Sequence, residues 1–263
     1  MSFNPEITGK VALITGASSG IGRYTAVEFA KSGCRLALTG RNKAALEETA
    51  TLCKAEGVTS DNILVVVADL ENVEDCRRIV AETVGQFQQL DFLVNNAGVL
   101  VVGSVKELPL EEYEHQMNVN VRSVFVTTQA AVPHLQKTKG NIVNVSSLAG
   151  LRALPGKVAY CMSKAALDQF TQTVALELAG DGIRVNSVNP GVILTNCHRN
   201  SGMDEETYQK YLAHSKIMHP LGRVGSPEEV GQAIVFLSSD KLSGFMTGVL
   251  LPIDGGRSVT CPR

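Results

Sequence analysis

Seven short β-branched, largely apolar runs, spaced by longer helix-like stretches, constrain this chain more than any other feature. They are VALIT (11–15), RLALT (35–39), ILVVVA (63–68), DFLVN (91–95), NIVNVS (141–146), IRVNSV (183–188) and GVLLPI (248–253). A strand with one wet face alternates apolar and polar residues; unbroken apolar strands belong to a sheet covered on both faces. Helix-like stretches fill the gaps: one ending at Lys31, then 43–56, 73–87, about 110–135, and one reaching Ala175. Strand–helix–strand repetition demands parallel pairing with right-handed crossovers. The expected fold is α/β: a doubly wound parallel sheet of about seven strands, a Rossmann fold.

No linker, repeat or low-complexity run divides the 263 residues, so residues 1–263 are read as a single dinucleotide-binding domain. The one long interruption between a strand and a helix is 194–225, with His198, Met203, Tyr208, Tyr211, His214 and Met218. An insertion there, beyond the carboxyl ends of the strands, is placed to act as a substrate lid. A hydrophobic fraction of 44% against 19% charged excludes a disordered tail protein. Net charge is −2, which gives no general attraction to nucleic acid or to an anionic membrane. None of the six cysteines forms a C-x-x-C pair, and scattered cysteines suit a reducing compartment. The opening MSFNPEITGK lacks the pattern of a signal or transit peptide, and no apolar run approaches the ~18 residues of a membrane span. The expected location is the cytoplasm.

The first strand runs into TGASSGIG (15–22), before a helix. In that context Gly16 permits the tight turn, Gly20 lets backbone approach a pyrophosphate, and Gly22 permits close helix–strand packing. The loop N–H groups of Ala17, Ser18, Ser19 and Ile21, with the helix dipole, favour an anion. A ribose-binding group follows about 20 residues on, at the end of the second strand. NAD sites carry an acid there; this chain reads Thr39-Gly40-Arg41. An Arg pairs bidentately with a 2′-phosphate that a carboxylate would repel, so the cofactor expected is NADP(H) over NAD(H).

Tyr160 and Lys164 are i and i+4 and share a helix face. A free phenol, with a pKa of about 10, is a poor base at neutral pH, and a neighbouring ammonium stabilises its phenolate. Such a Tyr protonates a developing alkoxide in reduction, or takes the alcohol proton in oxidation. Ser147, just after a strand, is placed to hold the carbonyl oxygen. Cys161, beside Tyr160, is read as a packed small residue rather than a nucleophile.

Taken in order, TGASSGIG, Asp69-Leu70, NNAG (95–98), Asn120, NVSS (144–147), YCMSK (160–164), Pro190-Gly191 and IDGG (253–256) resemble the short-chain dehydrogenase/reductase family in its single-domain form. The resemblance runs from about Thr8 to Arg257. It implies that Asp69 bonds the adenine and that Asn96, Ala97 and Gly98 line the adenosine ribose. It implies that Asn120 holds a water linking Lys164 to solvent, and that Lys164 also holds the nicotinamide ribose. Ser147, thirteen residues before Tyr160, matches the family's catalytic serine. Pro190, Ile193 and Thr195 would seat the nicotinamide amide. NADP-using members often carry a base before the second glycine; here that position is Ser19.

The function expected is an NADP(H)-dependent carbonyl reductase, reversible as an alcohol dehydrogenase, acting on a small-molecule ketone or secondary alcohol. Steroid, retinoid and 3-oxoacyl-thioester substrates are the alternatives. The chain is similar to the 3-oxoacyl-carrier-protein reductases, yet TVALELAGDG (173–182) lacks the base those enzymes use to hold an acidic carrier. A dinucleotide-binding sensor is the non-enzymatic rival; the intact set of Asn120, Ser147, Tyr160 and Lys164 argues against it. The resemblance implies a homotetramer or homodimer.

Overall fold

The computed structural model describes residues 5–195 and 204–260. Its core is a seven-stranded parallel sheet in the order β3-β2-β1-β4-β5-β6-β7. The strands are β1 Val11–Thr15, β2 Arg35–Gly40, β3 Ile63–Val67, β4 Phe92–Asn95, β5 Asn141–Val145, β6 Arg184–Pro190 and β7 Leu250–Ile253. Order runs outward from β1 in both directions, so the chain crosses the sheet between β3 and β4. The adjacent carboxyl ends of β1 and β4 therefore diverge into a crevice.

Helices cover both faces. They are α1 Gly20–Lys31, α2 Lys43–Ala55, α3 Val73–Phe87, α4 Leu110–Met117, α5 Ser123–Thr138, α6 Leu148–Leu151, α7 Val158–Leu178, α8 Glu205–Met218, α9 Pro227–Ser238 and α10 Asp240–Ser243. Successive residues of β1 serve opposite cores, as the period of two requires. Ala12 and Ile14 pack with Phe29, Leu36 and Ile234 on one face. Val11 and Leu13 pack with Ile79, Leu90 and Leu135 on the other. No described helix is long and apolar enough to cross a membrane.

One expected element divides. The single helix of about 110–135 is broken between α4 and α5 by a π turn at Asn118–Arg122. Its cause is tertiary. The Asn120 side chain accepts the Val99 N–H (2.8 Å) and donates to the Val99 carbonyl (2.9 Å) and Ser163 Oγ (3.0 Å). Such wide turns recur at functional sites.

The insertion at 194–225 is closed at its base. Leu194 N–H donates to the Gly225 carbonyl and Gly225 N–H to that of Val192, both at 2.9 Å. His198 and Met203 lie outside the described residues. The next helix, α9, packs on α1 and begins with a capping box: Ser226 Oγ accepts the Glu229 N–H and Glu229 accepts the Ser226 N–H. Arg223, donating through both terminal nitrogens, holds the Glu229 carboxyl down to about 2. A depressed carboxyl stabilises the fold above its unfolded value and loses that contribution as pH falls through the folded one. The pair is two-fifths exposed on the Glu229 side and more on the Arg223 side, so solvent screening keeps its contribution small. Glu229→Gln should therefore cost about 1 kcal/mol at pH 7 in urea unfolding. The deficit should shrink below pH 4.5 and vanish towards about 2.

Candidate active site

One cleft of about 680 Å³ opens at the carboxyl ends of the strands, within the range of small-molecule sites. Its floor is the glycine loop. Thr15, the last residue of β1, accepts the N–H groups of both Asn96 and Ala97 on its hydroxyl, each at 2.9 Å. Asn96 answers by donating to the carbonyls of Thr15 (2.8 Å) and Gly16 (3.2 Å). The loops after β1 and β4 are thereby laced together. A Cβ on Gly16 would lie 2.9 Å from Ala97 Cα, and one on Gly22 would lie 2.3 Å from the Gly16 carbonyl. Neither position admits a side chain.

Behind the loop, Arg23 donates to the Ser18 carbonyl (2.7 Å) and to Thr49 Oγ1 (3.1 Å), tying α1 to α2. Ser19 forms no side-chain cap on α1, which leaves the first-turn N–H groups facing the cleft. That is the geometry of an anion cradle. Gly16, Ser18, Ser19, Gly20 and Ile21 line the cleft, while Ala17 and Gly22 stand behind it and carry the packing. Arg41 reaches the cleft beside Gly40, exposed and with no side-chain bond among the described residues. Asp69, Leu70 and Ala97 also line the cleft, and Gly98 lies beside Lys164, whose Nζ a Cβ there would meet at 3.5 Å. The residues present thus fit a nicotinamide dinucleotide.

The chemistry-bearing residues line the other end. Ser147 N-caps α6, its Oγ accepting the Ala149 N–H at 3.1 Å. That bond occupies the oxygen's acceptor side and leaves the hydroxyl proton to donate into the cleft. Tyr160 and Lys164 project from α7, with the Lys164 ammonium 5.8 Å from the Tyr160 ring centroid. Lys164 is buried and donates to the Val145 carbonyl at 2.9 Å. Asn120 does not line the cleft. Its side-chain amide is engaged with Val99 and Ser163 and holds the adjoining loop.

A buried polar chain fixes α7 on the sheet: Asn95 donates to Asn144, and Asn144 to Thr171. Asn189, just before Pro190, donates to the Ser147 carbonyl (3.1 Å) and to both oxygens of Asp168 (3.0 Å). Burial pushes the Asp168 carboxyl above its ordinary value, against the hydrogen bonds of Ser146 and Asn189 and the charge of Lys164. Pro190, Ile193 and Thr195 line the cleft, and Thr195 Cγ2 closes on Gly20.

From the lid, Tyr211 faces the cleft, while Tyr208 is buried with its hydroxyl on the Thr195 carbonyl at 3.2 Å. His214 is exposed. Sequence reasoning missed His219, which is buried, accepts the Val192 N–H at Nε2 and bonds the Ser215 carbonyl through Nδ1. It ties the end of α8 to the loop after Pro190-Gly191. It also missed the bracing roles of Thr15, Arg23, Asp168 and Asn189, of which only Asp168 stands away from a legible motif. The described cysteines Cys34 and Cys53 are buried, and burial pushes both thiols up to about 12. Cys161 is partly buried and has no disulfide partner among the described residues.

A family model described as enoyl-(acyl carrier protein) reductase matches residues 16–258. A 3-oxoacyl-[acyl-carrier-protein] reductase of Thermotoga maritima is 39% identical over 254 residues, covering 95% of this chain and 98% of its own. The chain belongs to the short-chain dehydrogenase/reductase family. Meso-2,3-butanediol dehydrogenase of Serratia marcescens is 37% identical, covering 95% of each chain. A short-chain dehydrogenase/reductase of unknown function from Caenorhabditis elegans, solved with cofactor, superposes with a TM-score of 0.93 at 37% identity and 97% coverage of each chain. As a family member, this protein is an oxidoreductase acting on CH–OH and C=O groups with a nicotinamide cofactor.

The lacing by Thr15 makes a direct test. Thr15→Val keeps the shape but leaves the Ala97 N–H unpaired and the Asn96 N–H with the Val94 carbonyl alone, at a cost of about 2 kcal/mol. Urea unfolding should register that loss, dinucleotide titration should weaken with it, and Thr15→Ser should restore both.

Proposed function

We propose that this protein is an NADP(H)-dependent carbonyl reductase, working in reverse as an alcohol dehydrogenase on a ketone or secondary alcohol. The observation that carries the reading is the shared cleft. Ser147, with its hydroxyl proton free to donate, and Tyr160 beside Lys164 face the end opposite the glycine cradle. When bound, the nicotinamide supplies or accepts the hydride at the substrate carbon. Ser147 donates to the substrate oxygen and orients it. Tyr160 gives its phenolic proton to that oxygen in reduction and takes it back in oxidation. Lys164 stabilises the phenolate left behind. Asn189 and Asp168 hold the Ser147 backbone in place.

Arg41 supports NADP(H): a cation stands where NAD sites place a carboxylate. Arg41→Asp should invert the ratio of NADPH to NADH efficiency, measured as kcat/KM for each. A wild type that prefers NADH would overturn this part of the reading. Tyr160→Phe should lower kcat about 10²- to 10⁴-fold with cofactor affinity unchanged, and Ser147→Ala about 10²- to 10³-fold. Absorbance at the NADPH band against a panel of diketones, quinones, a steroid ketone, retinal and an acetoacetyl thioester tests both. Turnover by the Phe variant at the wild-type rate would overturn the mechanism.

The Thermotoga relative favours the acetoacetyl thioester as a second reading. The missing base in α7 and the turn after it weighs against docking of an acidic carrier. Assembly as a dimer or tetramer is supported by the exposed apolar residues Phe125 on α5 and Met162 on α7, to be read by light scattering. Cytoplasmic placement rests on the sequence alone.

A further inference from the structure

The two ends of the cleft differ in charge. Two cations border the substrate end alongside Ser147, Leu154, Tyr160 and Tyr211: Lys157, just before α7, and Arg257, on the turn after β7. The acids that line the cleft are Asp69 and Glu112. Asp69 follows β3 at the dinucleotide end. Glu112 stands one turn before His115 on α4, and His115 pairs with Glu71, two residues beyond Asp69. Asp69 thus belongs to the far end, while Glu112 stands on α4, which packs against α7.

Arg257 is half-buried, and among the described residues its guanidinium makes no hydrogen bond or ion pair. The turn that presents it is held rigidly. The Asp254 carboxylate accepts the N–H groups of Gly256 (3.0 Å) and Ser258 (2.6 Å), and the Arg152 guanidinium donates to the Ser258 carbonyl through Nε (2.8 Å) and Nη2 (2.5 Å). Lys157 is steadied by the lid, its ammonium 5.5 Å from the Tyr211 ring centroid. A planar fork on a fixed turn, with a second cation beside the same pocket, matches a carboxylate bidentately at little ordering cost.

We infer that the substrate is an oxo acid or its hydroxy acid: a ketone or secondary alcohol whose other end carries a carboxylate, bound by Arg257 with Lys157 nearby. This rests on the oxidoreductase reading above and narrows its substrate.

The test is a graded series of straight-chain methyl-ketone acids, each beside its methyl ester, with NADPH. At the best chain length the acid should exceed its ester in kcat/KM by about 10- to 100-fold. Arg257→Ala should raise KM for the acid by the same factor, with kcat and the ester rates little changed, and Arg257→Lys should recover part of the loss. Equal rates for acid and ester would overturn the inference while leaving the reductase reading standing. So would an Arg257→Ala variant that loses ester turnover equally. If no carbonyl is reduced, the reductase reading falls. Calorimetry of the matching hydroxy acids with the NADP⁺-loaded protein then decides the anion site by itself. Binding abolished by Arg257→Ala supports it, and no binding to the wild type overturns it.

Discussion

The lacing of the loop after β1 onto the loop after β4 is the contact on which this site depends. Thr15 receives two backbone N–H groups, and Asn96 returns two bonds to the carbonyls of Thr15 and Gly16. The exchange pulls the two loops so close that only glycine fits at 16 and 22. With no side chains in the way, the first turn of α1 faces the cleft with its N–H groups unbonded by any cap. The dinucleotide cradle is therefore a consequence of close packing, and the packing a consequence of four hydrogen bonds.

The other half of the site is held by buried polar side chains. Asn95, Asn144 and Thr171 run from β4 through β5 to α7, and Asn189 joins β6 to both Ser147 and Asp168. Each is costly unless satisfied, and each is satisfied only in this arrangement. The same property that makes these groups expensive makes the positions of Ser147, Tyr160 and Lys164 unique. A donor to the substrate oxygen and a proton donor must both be held to within a fraction of an ångström. A polar network tolerates less slippage than an apolar contact does.

Charge divides the cleft in two. Arg41 lines it beside the glycine loop, and Arg257 and Lys157 line it with Ser147 and Tyr160; of the acids, Asp69 follows β3 and Glu112 stands on α4. A net charge of −2 over the whole chain conceals this local pattern, because the long-range sum carries no information about which loops converge.

Much was legible in the residues alone. The largely apolar runs called for a parallel sheet, since a strand buried on both faces tolerates a polar residue only where a partner satisfies it. The spacing of the glycines, of Tyr160 and Lys164, and of Ser147 before them is local, and local spacing survives folding as shared helix faces and turn geometry. The break at Asn118–Arg122 was not legible, because its cause is Val99 and Ser163, far away in the chain. The roles of His219, Asn189, Asp168 and Arg257 were equally hidden. A lone His, Asn, Asp or Arg has no pattern of its own, and its meaning comes from partners brought near by the fold. By itself the sequence determined the architecture, the glycine loop and the shared helix face of Tyr160 and Lys164, whose physics is short-range. Only the tertiary structure decided which distant side chains brace that pair and which charges line the cleft, because those contacts join elements that are neighbours in space and strangers in sequence.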